Sequence, residues 1–230
     1  MTRPPTYPVR PVTHPFDANW TVATARGNQG GTFKLGLIES DPNGAHRVTM
    51  QKWHSLIVPR SQLIVGDAAR GPAEVWRLTQ LGCGAIAMPF VFDDPEPSWV
   101  PYLVNCAANG VLLFAGAGNN TAKTPTPSTL FPASHPAVYS CAACFPATGA
   151  LDPHGSPPGG RIDFAVPCGF DGSSGASMVM ACIAVQWLGA GGVRLFSEPA
   201  ARQIGFRAWM TGSCKPLPGG RGVVPRAGSL

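Results

Sequence analysis

At 230 residues, with 44% hydrophobic and 13% charged residues, the chain can bury one sizeable core, and this balance excludes disorder through its middle. Its net charge of +5 is scattered, with no basic stripe interleaved with aromatics, which argues against a nucleic-acid partner. The start, MTRPPTYPVRPVTHPF, has no apolar signal core, and no run reaches the ~18 apolar residues of a membrane span, so a soluble cytoplasmic protein with no membrane partner is expected.

In chain order, residues 1–30 read as a Pro-rich arm ending in the Gly-rich GNQGG. FKLGLIES (33–40) and SQLIVGD (61–67) are buried-strand candidates, and PAEVWRLTQLG (72–82) has helical spacing closed by Gly82. CGAIAMPFVF (83–92) predicts a third strand, SWVPYLVNCAANG (98–110) a helix ended by Gly110, and VLLFAGAG (111–118) a fourth strand. AVYSCAACF (137–145) and RIDFAVP (161–167) add two more strands. GASMVMACIAVQWLGAGG (175–192) is apolar nearly all round and predicts a buried helix. SEPAARQIGFRAW (197–209) is amphipathic, with Ser197 placed to cap it. The Pro/Gly-rich residues 213–230 read as an extended or loose tail, which leaves 31–212 as the domain.

Strands that are continuously apolar and alternate with helices predict an α/β fold of three layers. A mostly parallel β-sheet would carry helices on both faces. The functional crevice of such a sheet lies at the carboxyl ends of its strands. Seven cysteines leave at least one thiol unpaired, and their apolar settings fit buried free thiols in a reducing compartment. Cys141-x-x-Cys144 has no second ligand pair, so neither a metal nor any other cofactor is expected. Asn19-Trp20-Thr21 and Asn119-Asn120-Thr121 match the glycosylation pattern but carry no weight without a secretory route.

Two stretches bear on chemistry. Asn119 follows the apolar strand 111–118 behind small residues. A side-chain amide there can stabilise an oxyanion, or can serve only the turn. DGSSGASMVMACIAV (171–185) puts Ser174 where a helix N-terminus favours negative charge. That position suits a nucleophile, and it equally suits a Ser173 or Ser174 N-cap.

Taken together and in order, these stretches resemble the subtilisin-like serine peptidases. GVLLFAGAGNN (110–120) is similar to the family's strand ending V-V-V-A-A-A-G-N, and FPASHPAVYSCAAC (131–144) to its Y-P-A segment. RIDFAVPCG (161–169) resembles x-D-I-x-A-P-G, and DGSSGASMVMACIA (171–184) resembles the nucleophile motif x-G-T-S-M-A. GCGAIAMPF (82–90) and VPRSQLIVGD (58–67) resemble two upstream segments, so the likeness covers roughly residues 30 to 210.

The resemblance implies a subtilisin-like fold, Ser174 as nucleophile and Asn119 as oxyanion donor. It also implies an extended peptide or protein substrate, paired beside Met88, Pro89 and Phe90, with Gly116 also at the substrate site. Glu39 in LIESD (37–41) stands where the family has its Asp, and Asp41 lies two residues on. The family's H-G-T-H helix should follow, but PNGAHRVTMQKWHSLI contains no such motif and is short for the usual loop plus helix. His46 matches a structural histidine of the family, which leaves His54 as the base, oriented by Glu39 or Asp41; His14, His135 and His154 have no motif to recommend them. Two functions are therefore expected. One is a peptidase, or a peptide acyl-transferase such as a maturation protease, with a non-standard base. The alternative is a pseudoprotease that binds an extended peptide without turnover.

Overall fold

The computed structural model describes residues 33–41, 43–121, 126–145, 148–168, 172–192, 196–216 and 223–225. The arm at 1–30 lies outside them. β1 (Lys34–Glu39) leads into α1 (Ala45–Ile57), β2 (Leu63–Asp67), α2 (Ala73–Gln80) and β3 (Cys83–Met88). α3 (Val100–Ala108), β4 (Leu112–Gly116), β5 (Tyr139–Ala143) and β6 (Phe164–Val166) follow. α4 (Gly172–Trp187), α5 (Ala201–Ser213), β7 (Cys214–Pro216) and β8 (Val223–Pro225) complete the described chain.

One sheet contains every strand, in the order β2-β1-β3-β4-β5-β6-β8-β7. β1 to β6 run parallel; β8 joins β6 in parallel and β7 pairs with it antiparallel. The sheet therefore extends into the segment read as a loose tail.

β1 and β3 to β6 are buried on both faces, and their side chains alternate between two cores. Leu35, Leu37, Ala85, Ala87, Leu112 and Phe114 pack with Met50 and Ile57 of α1, the whole of α4, and Phe206 and Met210 of α5. On the other face Ile38, Ile86, Met88 and Leu113 meet Val75 and Leu78 of α2 and Leu103 and Cys106 of α3. This is the three-layer α/β architecture expected. β1 feeds α1 on one face, whereas its neighbour β3 feeds α3 on the other. A crevice opens between their carboxyl ends, at the switch point of the sheet.

Four elements differ from expectation. The helix judged absent between β1 and β2 is present as α1, thirteen residues long with a thin apolar stripe of Met50, His54 and Ile57. The third strand stops at Met88, since Pro89 has no N–H for the ladder; Phe92 forms a separate antiparallel bridge to Phe131. α5 begins at Ala201, four residues beyond Ser197, after a turn in which the Ala201 N–H donates to the Glu198 carbonyl. α4 also begins earlier than its apolar pattern, at Gly172.

By length and composition the helix Gly172–Ala190 could span a membrane, yet 83% of its apolar window is buried inside the fold. It serves as the central core helix. Among the described residues Cys83, Cys106, Cys141, Cys144 and Cys182 are buried free thiols; burial holds Cys83 and Cys144 protonated by pushing them up to about 12.

Asp163, just before β6, ties three elements together. Its Oδ2 accepts the buried Ser140 N–H at 2.9 Å, and its Oδ1 accepts Arg207 Nη1 of α5 at 2.6 Å. Arg161 Nε lies 3.2 Å from the same carboxylate. Replacing Asp163 by Ala strands the Ser140 N–H and leaves two guanidinium groups that still reach water. Asp163→Ala is expected to lower unfolding free energy by about 2–3 kcal/mol in urea melts, without changing the m-value.

Candidate active site

Small residues bring the start of α4 against the ends of β4 and β5. Gly172 has φ +57, and a Cβ there would lie 2.6 Å from Asn119 Oδ1. A Cβ on Gly116 would lie 2.9 Å from Ser173 Oγ, and one on Gly155 3.1 Å from Gly172 Cα. These close approaches place Ser173 beneath Asn119. Its N–H and its hydroxyl both donate to Asn119 Oδ1, each at 3.0 Å. The Gly118 N–H donates back to Ser173 Oγ at 3.3 Å. With Oδ1 engaged twice, the orientation of the Asn119 amide is fixed and its NH₂ group is the end left to donate elsewhere. Thr126 secures the same turn: its hydroxyl donates to the Asn119 carbonyl at 2.8 Å and its N–H to Asn120 Oδ1 at 3.2 Å.

One residue on, the Ser174 hydroxyl donates to the Pro89 carbonyl at 3.0 Å. Pro89 follows the last residue of β3. Parallel pairing of β1 with β3 runs to Leu37 opposite Ala87, so Glu39, two residues further, ends beside Pro89. The loop bearing Asn119 and the serine turn thus adjoin beyond the carboxyl end of β3, and the parallel register carries Glu39 to the same end of the sheet.

Glu39 is 1% exposed, and both its oxygens face His46 Nδ1, at 3.1 and 2.9 Å. His46 sits in the first turn of α1 with its side chain 44% exposed. A carboxylate on Nδ1 selects the tautomer protonated there, which puts the lone pair of the neutral ring on Nε2. The extra methylene of Glu relative to Asp is absorbed without loss of bidentate contact.

The expected pairing of His54 with Glu39 does not occur. His54 is eight residues along α1, about 12 Å by helix rise, and only 8% exposed. Its Nε2 meets the Ser61 hydroxyl at 2.8 Å. Burial lowers its pKa, with the Ser61 bond acting in the opposite direction. Asp41 is also elsewhere engaged, shaping the turn before α1: its Oδ1 accepts the Asn43 N–H and its carbonyl the Gly44 N–H, both at 3.1 Å.

Of the residues expected near substrate, Met88 is fully buried in the α2–α3 core and Gly116 backs Ser173. Phe90 is half-buried, edge-on to Phe92 and Trp99 at centroid distances of 5.5 and 5.6 Å. Pro89 contributes its carbonyl. Sequence reading gave His46 only a structural role and Ser173 only that of a cap; the available signal for His46 was Gly44-Ala45-His46 opening a weakly amphipathic run seven residues after Glu39.

No protein-family model and no curated protein sequence matches the chain. Solved structures do match in fold. Prenylagaramide maturation protease PagA superposes with TM-score 0.66 at 14% identity, covering 86% of this chain and 88% of that one. An alanine mutant of the protease domain of PatA gives 0.59 at 17% identity, covering 86% of each chain. The self-cleaved PatA protease domain gives 0.62 at 16% identity, over 81% of this chain and 89% of that one. The fold is that of subtilisin-like protease domains.

The buried imidazoles give stability a pH dependence of definite sign. His54 and His135 both titrate below the ordinary histidine value. Burial is the larger cause in each, and the nearby Arg161 charge adds to it for His135. The unfolded chain therefore takes up these protons first. Stability is full above about pH 6.5 and declines as pH falls below it. Thermal melts should give a lower Tm at pH 5.5 than at 7.5, and His54→Gln, which keeps an amide for Ser61, should shrink that drop.

Proposed function

We propose that the protein catalyses serine-type acyl transfer on an extended peptide, with Ser174 as nucleophile, His46 as general base, Glu39 as its orienting carboxylate and Asn119 as oxyanion donor. The observation that carries this is the bidentate Glu39–His46 pair, at the strand end next to the one whose Pro89 carbonyl holds the Ser174 hydroxyl. The fold shared with a maturation protease and with PatA protease domains supports the reading.

In this mechanism a peptide enters beside residues 89–91 and pairs with their backbone. Its N–H takes over the Pro89 carbonyl and releases the Ser174 hydroxyl toward His46. His46 Nε2 removes the hydroxyl proton as Oγ attacks the peptide carbonyl. The Asn119 NH₂, held by Ser173, and the backbone N–H groups of the serine turn receive the negative charge. His46 then returns the proton to the departing amine and leaves a Ser174 ester. Water attacking that ester makes the protein a peptidase; a peptide amine makes it an acyl-transferase.

The second reading, a pseudoprotease that binds peptide, draws on one observation: the Ser174 hydroxyl donates to a carbonyl. Labelling with a fluorophosphonate separates the two. Parent protein should label, and Ser174→Ala should not. His46→Ala and Glu39→Gln should slow labelling by about 10³-fold or more, and Asn119→Ala by about 10²-fold. His54→Ala should label within a few-fold of the parent. No labelling of the parent overturns the catalytic reading, and equal loss in His54→Ala and His46→Ala overturns the assignment of the base.

A further inference from the structure

On the face of the sheet opposite α4, a groove of about 450 Å³ runs between α2 and α3, lined by Trp76, Pro101, Tyr102 and Asn105. Nothing in the acyl-transfer mechanism uses it. Trp76 and Tyr102 are half-buried; Pro101 and Asn105 are exposed. Among the described residues neither the Trp76 indole N–H nor the Tyr102 hydroxyl has a hydrogen-bond partner, and the Asn105 NH₂ has none either. Aromatic walls, a proline and outward-facing donors suit one kind of ligand. A polyproline II segment has a ridged apolar surface and backbone carbonyls that no internal bond satisfies.

The chain contains such a segment outside the described residues. Residues 3–12 read RPPTYPVRPV, and Pro5, Pro8 and Pro11 recur every three residues. A polyproline II helix has three residues per turn, so these prolines share one edge. The segment has Arg3 and Arg10 and no acidic residue. The turn entering α3 carries Asp93, Asp94 and Glu96, all exposed and none ion-paired among the described residues. Twenty residues separate Val12 from Phe33. Extended, they reach roughly 65–70 Å, against a diameter of about 40–45 Å for a domain of this size. We propose that the groove between α2 and α3 binds residues 3–12 of the same chain in polyproline II conformation, with Arg10 facing the Asp93–Glu96 turn. The tether supplies a millimolar effective concentration, so a shallow groove suffices.

The test uses the full chain with Tyr7→p-benzoylphenylalanine and maps its photo-cross-links by mass spectrometry. Cross-links should fall within residues 73–80 or 100–108 and appear in the monomer. Pro5→Gly, Pro8→Gly and Pro11→Gly combined should cut the yield several-fold, with an unchanged melting temperature as the control against unfolding. Tyr102→Ala should do the same, with an unchanged melting temperature as its control. Cross-links elsewhere, or a yield indifferent to the three prolines, overturn the proposal. Cross-links confined to covalent dimers assign the groove to a second copy and overturn the intramolecular form.

Discussion

The position of α4 depends on how closely its first turns approach the sheet, and the site depends on α4. A helix apolar on every side is stable only when every side is covered. Here β1, β3, β4, β5 and α1 supply the cover. Gly172, Ser173, Gly175, Ala176 and Ser177 bring little bulk to that contact and are buried in it. Close packing turns a hydrophobic preference into a position: Gly172 lies against the Asn119 amide and Ser173 bonds to it twice. Small residues at this turn thus do two jobs. They let the helix dock, and they lock the orientation of the Asn119 amide.

The Glu39–His46 pair is a second constraint, set by electrostatics. A carboxylate as buried as Glu39 is costly unless it is hydrogen-bonded. His46 supplies the bond at both oxygens from a half-exposed position. The two histidines of α1 differ because they project in directions about 80° apart and two turns apart along the axis. One meets the strand end and solvent; the other meets Ser61 and the core. Chemistry and packing are divided within one helix.

The sheet separates the functions in the same way. One face packs α1, α4 and α5, so that α1 and α4, which carry His46 and Ser174, share a core with the strands. The other packs α2 and α3, whose outer surfaces form the aromatic groove. The strand end at Met88 and Pro89 touches both: the Met88 side chain enters the α2–α3 core, and the Pro89 carbonyl turns to Ser174.

Local pattern alone settled much of this protein. Short continuous apolar runs alternating with helical segments read as strands covered on both faces, which gives the parallel three-layer sheet. Small residues before an apolar run gave the turn that carries Ser174, and a strand ending in Gly118-Asn119 placed the amide at a carboxyl end. Tertiary structure decided what local pattern could not encode. The stripe of Met50, His54 and Ile57 is too thin to announce α1, which is helical because the sheet and α4 cover it. Which histidine meets Glu39 depends on where that helix starts relative to the end of β1, a distance in space with no signature in spacing. Strand pairing in the tail likewise needs the open edge of β6, since two three-residue strands have no stability of their own.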